Sequence, residues 1–346
     1  MSKITLAATG DVLLHSRIYN ISKIKSGGYD FTDKMAPAKK LLGAADISVV
    51  NLESLVAGEE MGLESFPKFN NPVELVENLK SFSTDIVTNS NNHTMDFGEE
   101  GALKSIENIE KAGLMYVGSH KSREDQKDFR VIEKNGIKCA FLSYSATHMG
   151  DFAPKDKTYL LNRISGPRFK KLRTDIELLK KEKKPDVIVV SLHYGREFML
   201  YPISYQKEIS AYLSDAGADV IIGNHPHVLQ PAEWIINSRG KKSFVIYSLG
   251  NFYSGQKGVY RQIGGVLSLD IIKNSEKKPG IEIQNPAIDL TYVDANRKGG
   301  YQMYHFLEYI EKNPYLKTLH GEFDALDIYS ELSNRFKSWM PEIELR

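Results

Sequence analysis

Short apolar runs alternate along the chain with longer stretches in which apolar residues recur every three or four positions. Four runs rich in Val and Ile each begin with an aspartate, and they occupy residues 46–50, 85–88, 186–190 and 219–222. Unbroken runs of this kind are typical of strands buried on both faces, as in parallel sheets. A further strand is predicted over Ile4 to Thr9, directly before Gly10-Asp11.

The stretches between these runs place their apolar residues on one helical face, which predicts amphipathic helices that cover a sheet. The repeated positions are Val73, Val76 and Leu79; Leu103, Ile106 and Ile109; Phe169, Leu172, Ile176 and Leu179; and Tyr205, Ile209 and Tyr212. Another helix is predicted over Met35 to Leu42, ending at Gly43. Strand–helix–strand repetition implies right-handed crossovers, so the four strand ends are expected along one edge.

Other segments have the pattern of antiparallel strands. Phe129 to Glu133 and Ile137 to Leu142 predict a hairpin around the turn Asn135-Gly136. Further strands are predicted over 234–236 and 243–247, and where apolar residues alternate at Leu267, Leu269, Ile271, Ile281 and Ile283. We therefore expect the second half of the chain to supply a second, mixed sheet.

The pattern changes again near Tyr301. Helices are predicted over Tyr301 to Glu311 and along the apolar stripe Tyr329, Leu332, Phe336 and Trp339. This segment carries no residues typical of a functional site. We interpret residues 1–300 as the main domain and residues 301–346 as a C-terminal helical extension packed on it, with an oligomer contact as the alternative.

Composition narrows the functional classes. The 346 residues have a formal net charge of +1, which gives no electrostatic argument for binding nucleic acid or an anionic membrane. The single cysteine, Cys139, excludes a disulfide scaffold. No signal peptide is visible, and no run approaches the ~20 apolar residues of a membrane helix. The sequence as given predicts a soluble, cytoplasmic protein, or an extracytoplasmic one if a targeting segment has been removed.

Polar residues able to bind a metal follow the predicted strands. They are Asp11, Glu53, Asn92, His93, His193, His225 and His227. Carboxylates, an amide and histidines suit a pair of divalent cations with mixed N and O ligands, and they do not suit a thiolate zinc site. In an extended segment, residues two apart project the same way, so His225 and His227 are expected to converge. Each residue also has a structural interpretation, such as a turn aspartate, a helix cap or a buried hydrogen-bonded histidine.

Six ordered blocks of sequence carry a family resemblance. They are Gly10 to Leu14, Asn51 to Glu53, Asn91 to Gly98, His193 to Phe198, Gly223 to Pro231 and Tyr247 to Phe252. Together, over roughly residues 4–272, they resemble the CapA/PgsA family of capsule or poly-γ-glutamate biosynthesis proteins, a branch of the calcineurin-like metallophosphoesterase superfamily. The resemblance implies a four-layer α/β/β/α sandwich, like the metallo-dependent phosphatases, with metals between two sheets at the strand ends.

The resemblance also implies roles for individual residues. Two divalent ions (Mn, Zn, Fe or Mg) are implied, one held by Asp11 and His227 and the other by Asn92, His193 and His225. Glu53 would bridge the two ions, and His93 would be the general acid or would stabilise the transition state. The substrate site would be lined by Asn51, Tyr194, Arg196, Glu197, Asn251 and Phe252.

Three positions depart from the pattern. The broader superfamily has a histidine two residues after the first aspartate, where this chain has Leu13, although His15 is nearby. Glu53 is longer than the usual aspartate, as is common in this branch, and Asn224 stands where the branch often has a histidine. The departure at Leu13 weakens one site, so occupation by a single ion is an alternative.

The resemblance favours a metal-dependent hydrolase that acts on a phosphoester, a peptide or a polyglutamate-type amide. The alternative is a non-catalytic capsule-biosynthesis accessory protein that binds an anionic polymer or partner enzymes. A third, weaker hypothesis is metal-free abstraction of an α-proton by a paired acid and base. The expected partners are a small molecule, a peptide or an anionic polymer, and the sequence does not indicate the oligomeric state.

Overall fold

A computed structural model describes residues 1–147, 149–164, 169–274, 276, 280–295, 300–318 and 320–346 of the protein. The strands within these ranges are β1 Ser2–Leu13, β2 Ile47–Leu52, β3 Ile86–Thr88, β4 Met115–Val117, β5 Arg130–Lys134, β6 Ile137–Ser145, β7 Val187–His193, β8 Val220–Asn224, β9 Leu229–Ile236, β10 Lys242–Leu249, β11 Asn251–Ser254, β12 Ile263–Lys273, β13 Ile281–Asp294, β14 Gln302–His305, β15 Tyr315–Thr318, β16 Gly321–Asp324 and β17 Glu344–Leu345.

The α-helices of the described residues include each of the predicted amphipathic stretches. They are α1 Ser16–Tyr19, α2 Ala36–Gly43, α3 Glu74–Ser81, α4 Gly98–Lys111, α5 Arg123–Lys127, α6 Lys170–Lys183, α7 Ser204–Ala216, α8 Phe306–Ile310 and α9 Ala325–Lys337. The expected helix over Tyr301 to Glu311 is wrong in its first turn. Residues 302–305 instead form β14, which pairs with β13 because that edge would otherwise be left without hydrogen bonds.

The first sheet has the strand order β14-β13-β12-β1-β2-β3-β4, with β11 beside β1 and β17 beside β13. Strands β1 to β4 are parallel, and β12 and β13 add to them in antiparallel fashion. The second sheet has the order β5-β6-β7-β8-β10-β9, with β6, β7, β8 and β10 parallel. The hairpin β5–β6 turns at Asn135-Gly136, as predicted.

Two expectations about the sheets are corrected. The four aspartate-led strands do not share one edge, because β2 and β3 belong to the first sheet and β7 and β8 to the second. The alternating strands β12 and β13 complete the first sheet rather than a second one. The chain returns to pair β12 with the long β1, which buries the apolar face of both strands.

The two sheets pack face to face and are covered by helices on their outer sides. Neighbouring residues of one strand divide between the layers. Ala8 and Val49 lie in the core between the sheets, whereas Ala7 and Val50 belong to the cluster that also contains the buried side chains of α2, α3 and α4. On the outer face of the second sheet, apolar side chains pack against those of α6 and α7. This two-residue alternation explains why the strands are apolar on both faces. The predicted four-layer α/β/β/α order is confirmed.

The C-terminal residues pack on the same core. Phe306, Phe336, Met340 and Ile343 are buried in the cluster between the sheets. The guanidinium of the buried Arg335 donates to Leu229 O at 3.3 Å, which ties α9 to β9. Within the described residues, no helix is both long and apolar enough to cross a bilayer.

Candidate metal centre

Five predicted ligands converge where strand ends of the two sheets face each other. Two overlapping groups have one ligand atom per residue within 4.8 Å of one another, and these groups are Asp11, Glu53 and His193, and Glu53, His225 and His227. Each of these side chains is at most 2% exposed. The first sheet supplies the carboxylates and the second sheet supplies the imidazoles, so the cluster joins the two sheets.

Asp11 contacts groups from both sheets. Its Oδ2 lies 3.0 Å from His227 Nδ1, and its Oδ1 accepts a 2.8 Å hydrogen bond from the Asn51 amide. Its own backbone N–H donates to Gly250 O at 2.8 Å. The same Nδ1 of His227 also lies 3.1 Å from Asn251 Oδ1. Asn51 and Asn251, predicted to line the substrate site, therefore hold the orientation of Asp11 and His227.

His193 contacts two further predicted ligands. Its Nε2 is 2.6 Å from Asn92 Oδ1 and 3.1 Å from His225 Nδ1. The three ligands predicted for one ion, Asn92, His193 and His225, therefore lie together. The two predicted for the other ion, Asp11 and His227, also lie together. Glu53 belongs to both groups of mutually close ligand atoms.

Glu53 lies between these two groups. Its Oε1 is 3.2 Å from His193 Nε2 and 3.6 Å from His227 Nε2, yet neither carboxylate oxygen has a hydrogen-bond partner among the described residues. Burial, and next the charge of Asp11, raise the pKa of Glu53 well above its ordinary value. A buried carboxylate without a donor is costly unless a cation compensates it. The donor set therefore fits a divalent cation with mixed nitrogen and oxygen ligands.

The imidazoles are suited to the same purpose. Burial lowers the pKa of both His193 and His225 well below the ordinary value, and the neighbouring histidines lower it further. Both rings are consequently neutral near neutral pH. A neutral imidazole offers one nitrogen lone pair, which is the form that binds a metal.

The backbone at His225 and His227 differs from the expected extended segment. Both residues have positive φ, 98° for His225 and 58° for His227, a region that residues other than glycine seldom adopt. The two rings still converge, with centroids 6.0 Å apart, but through a left-handed turn around Pro226. Such strain persists only where the surrounding structure enforces it, and it is concentrated at functional sites.

His93 lies beside the cluster and is partly exposed. Its Nδ1 is 2.7 Å from Asp96 Oδ2, and that oxygen also accepts a 2.6 Å hydrogen bond from the Phe69 backbone. The Phe69 ring packs against His93 with centroids 4.7 Å apart. Sequence reasoning missed Asp96, although its spacing of three residues from His93 within a turn could have indicated the contact.

The remaining predicted lining residues divide into two groups. Arg196 is exposed and Glu197 is half-buried, and both lie in the loop after β7, with Glu197 close enough to raise the pKa of Glu53 further. Tyr194 and Phe252 are not brought to the cluster. The Tyr194 hydroxyl is 3.2 Å from Ser210 Oγ under α7, and Phe252 is buried on the outer face of the first sheet.

The departures from the family pattern have structural counterparts. Leu13 is buried, and His15 packs against Phe69 with ring centroids 5.1 Å apart, outside both groups of close ligand atoms. Asn224 donates to Ser191 Oγ at 3.2 Å, and its Oδ1 has no partner among the described residues. His120, His305 and His320 also lie outside both groups, while His148 is outside the described residues.

Two Bacillus proteins are similar in sequence to this chain. The chain is 32% identical over 203 residues to the PGA biosynthesis protein CapA of Bacillus subtilis, covering 58% of this chain and 50% of that protein. It is 27% identical over 261 residues to the capsule biosynthesis protein CapA of Bacillus anthracis, covering 73% of this chain and 60% of that protein. The chain thus spans only half to three fifths of these relatives.

Among solved structures, the chain is similar to a hypothetical protein from Thermus thermophilus, with a TM-score of 0.48 and 13% identity over 82% of this chain and 98% of that one. A sequence profile for the family described as bacterial capsule synthesis protein PGA_cap matches residues 5–256. That match covers all six predicted blocks, together with every residue of the candidate metal centre. The chain belongs to this family of bacterial capsule synthesis proteins.

Proposed function

We propose that the protein is a divalent-metal-dependent hydrolase whose substrate is a phosphoester, a peptide or a polyglutamate-type amide. The observation that carries this proposal is Glu53: a buried carboxylate without a hydrogen-bond donor among the described residues, surrounded by imidazoles and a second carboxylate. Asp11, Asn92, His193, His225 and His227 would complete the ligand set. Bound divalent ions would polarise the scissile group and activate a water molecule.

The chain's own residues would contribute proton transfer. His93 is partly exposed beside the cluster, and its Nδ1 lies against Asp96, so its Nε2 would be the ring atom that contacts a substrate. A proton held on Nε2 could be delivered to a leaving oxygen or nitrogen. The names of the Bacillus relatives support a link to poly-γ-glutamate or capsule biosynthesis, and they make an anionic polymer a natural substrate class.

The test begins with elemental analysis of protein purified without chelators. Hydrolysis is then measured on a phosphomonoester, a phosphodiester and a γ-glutamyl peptide, with Mn²⁺ or Zn²⁺ added. We expect bound metal and hydrolysis of at least one substrate that EDTA abolishes. Protein that binds no metal, and whose activity is absent or unaffected by His93→Ala, would exclude the proposal.

A second candidate is a non-catalytic accessory protein that binds an anionic polymer. It is favoured by the enclosure of the cluster, since all five carboxylate and imidazole ligands are at most 2% exposed. A metal in such a site could be purely structural. Binding of poly-γ-glutamate that persists after EDTA treatment and in His93→Ala, without any turnover, would support this candidate over the hydrolase.

A further inference from the structure

Arg261 is a cation at the edge of the candidate metal centre that has no acidic partner in the described part of the chain. Its guanidinium lies over the ring of Phe198, 4.9 Å from the centroid, and makes no hydrogen bond or ion pair with any described residue. The side chain is half-buried. A guanidinium carries five N–H donors, and leaving them without acceptors in a partly buried position is unfavourable.

Phe198 links Arg261 to the metal centre. Its ring centroid is 6.1 Å from that of His227, and its backbone N–H donates to Pro226 O at 2.8 Å. Phe198 remains 45% exposed, and its φ of 65° is unusual for an aromatic residue. A strained, exposed aromatic ring fixed between a candidate ligand and an unpaired arginine has no evident role in the core.

The chain also fixes Arg261 from its other side. The Arg261 carbonyl accepts a 2.9 Å hydrogen bond from the amide of Asn251, whose Oδ1 lies 3.1 Å from His227 Nδ1. Gly258 leaves room for the guanidinium, because a Cβ at that position would lie 2.7 Å from Nη2. The position of Arg261 is thus coupled to His227 through Phe198 and through Asn251.

We propose that Arg261, stacked on Phe198, is an anion clamp that binds a phosphate or carboxylate group of the substrate beside the metal centre. The planar fork of donors matches two oxygens of such a group, and stacking reduces the side-chain freedom lost on binding. This inference rests on the proposed function for its location, since the clamped group would lie next to the bond to be cleaved. It also identifies the substrate as an anion.

The test is calorimetric titration with two probes, inorganic phosphate and a γ-linked glutamate trimer, on protein as purified and on EDTA-treated protein. We expect Arg261→Met to weaken binding of the preferred probe by roughly tenfold or more, with Arg261→Lys intermediate. Arg173→Met is the matched control, because Arg173 also stacks on an aromatic ring, 5.2 Å from Tyr212, but on the outer helices. Arg173→Met should bind both probes with the affinity of the unaltered protein.

The preferred probe then distinguishes a phosphate-bearing from a carboxylate-bearing substrate. If the unaltered protein binds neither probe, or if Arg261→Met binds both with unchanged affinity, the clamp is overturned. Failure of the proposed hydrolase has a different signature: the protein holds no metal and hydrolyses nothing, yet probe binding still depends on Arg261. Far-UV circular dichroism verifies that each variant is folded. If Arg261→Met is not folded, the affinity of Arg261→Lys for the two probes tests the clamp instead.

Discussion

Glu53 and His193 meet across the interface of the two sheets, with Glu53 Oε1 3.2 Å from His193 Nε2. Glu53 directly follows β2 of the first sheet, and His193 is the last residue of β7 of the second. Neither group is satisfied by the protein alone, since both Glu53 oxygens and His193 Nδ1 lack hydrogen-bond partners among the described residues. The pair therefore offers the most direct test of metal binding.

Glu53→Gln should weaken metal binding by more than about tenfold, a loss that even residues outside the first ligand shell can produce. The amide keeps the shape of the side chain but removes its charge. In EDTA, the variant should be at least as stable to urea as the unaltered protein, because it no longer buries a carboxylate without a donor. Metal content by elemental analysis and urea unfolding measure the two effects.

Glu233→Gln is the control for this prediction. Glu233 is half-buried and accepts a hydrogen bond from the Tyr247 hydroxyl, remote from the ligand cluster. Its substitution should leave metal content unchanged. Equal metal content in Glu53→Gln and the unaltered protein would refute the bridging role of Glu53.

His93 and Asp96 should act as one unit. His93→Ala is expected to lower turnover by roughly 10²–10⁴-fold, the usual contribution of a general acid. Asp96→Asn should lower it less, and the double variant should be no slower than His93→Ala, because Asp96 acts only through the ring it orients. Turnover of metal-loaded protein is the measurement.

Asp289→Asn is the matched control for this cycle, since Asp289 Oδ1 lies 3.6 Å from the imidazole of His305, on β13 and β14. That contact is another aspartate–histidine pair, and its loss should not affect turnover. Multiplicative effects of the two substitutions at His93 and Asp96 would show that they act independently.

Acid should destabilise the protein partly through His120. Burial lowers the pKa of His120 from 6.5 to about 4, so in this range the unfolded chain binds the proton more readily. The stability contributed by the neutral ring is complete above pH 6.5 and is lost as the pH falls toward about 4. The loss from this residue alone is roughly 2 kcal/mol at about pH 5.

His120→Gln should flatten the dependence of unfolding free energy on pH between about pH 7 and about pH 4.5, as measured by urea denaturation. The glutamine oxygen can still accept from the amide of Asn162, which lies 3.2 Å from His120 Nε2. The exposed His320 provides the control, and His320→Gln should reproduce the unaltered curve. An identical pH dependence in all three proteins would contradict the prediction.

The C-terminal segment should contribute to the stability of the main domain. Phe336 on α9 is fully buried in the cluster between the sheets, so Phe336→Ala should lower the unfolding free energy by about 3–5 kcal/mol. Leu326→Ala, at a position that is 63% exposed, should change it by less than about 0.5 kcal/mol. Two separate unfolding transitions would instead indicate that residues 301–346 form an independent unit.

Much of this architecture could be predicted from local patterns in the sequence. Apolar runs predicted β2, β7 and β8, and residues with carboxylate and imidazole groups lie at or just after their carboxyl ends, where open α/β sheets form their sites. The division of strands between two sheets could not be predicted from these patterns. It rests on pairings between residues that lie far apart in sequence, such as Ile4 on β1 and Ile271 on β12.

Details of the site depended on geometry that a motif does not encode. Tyr194 follows His193 directly, and neighbouring residues of a strand point to opposite faces, so only one of them can reach the centre. The same alternation separates Phe252 from Asn251. Arg261 was not predicted, because it lies outside the six sequence blocks. Its place beside the metal centre comes from its stacking on Phe198, which is far from it in sequence.

The division of the ligands between the sheets has a consequence for fragments of the chain. Asp11, Glu53 and Asn92 come from the amino-terminal third, whereas the three histidines come from residues 193–227. Neither of these two parts of the chain carries a complete set of ligands. The first sheet also needs β12 and β13, which come from the second half of the chain. A chain split in the loop between β5 and β6 should therefore bind no ion in either half and should regain binding when the halves reassociate. Metal uptake would then serve as a signal that both sheets have docked.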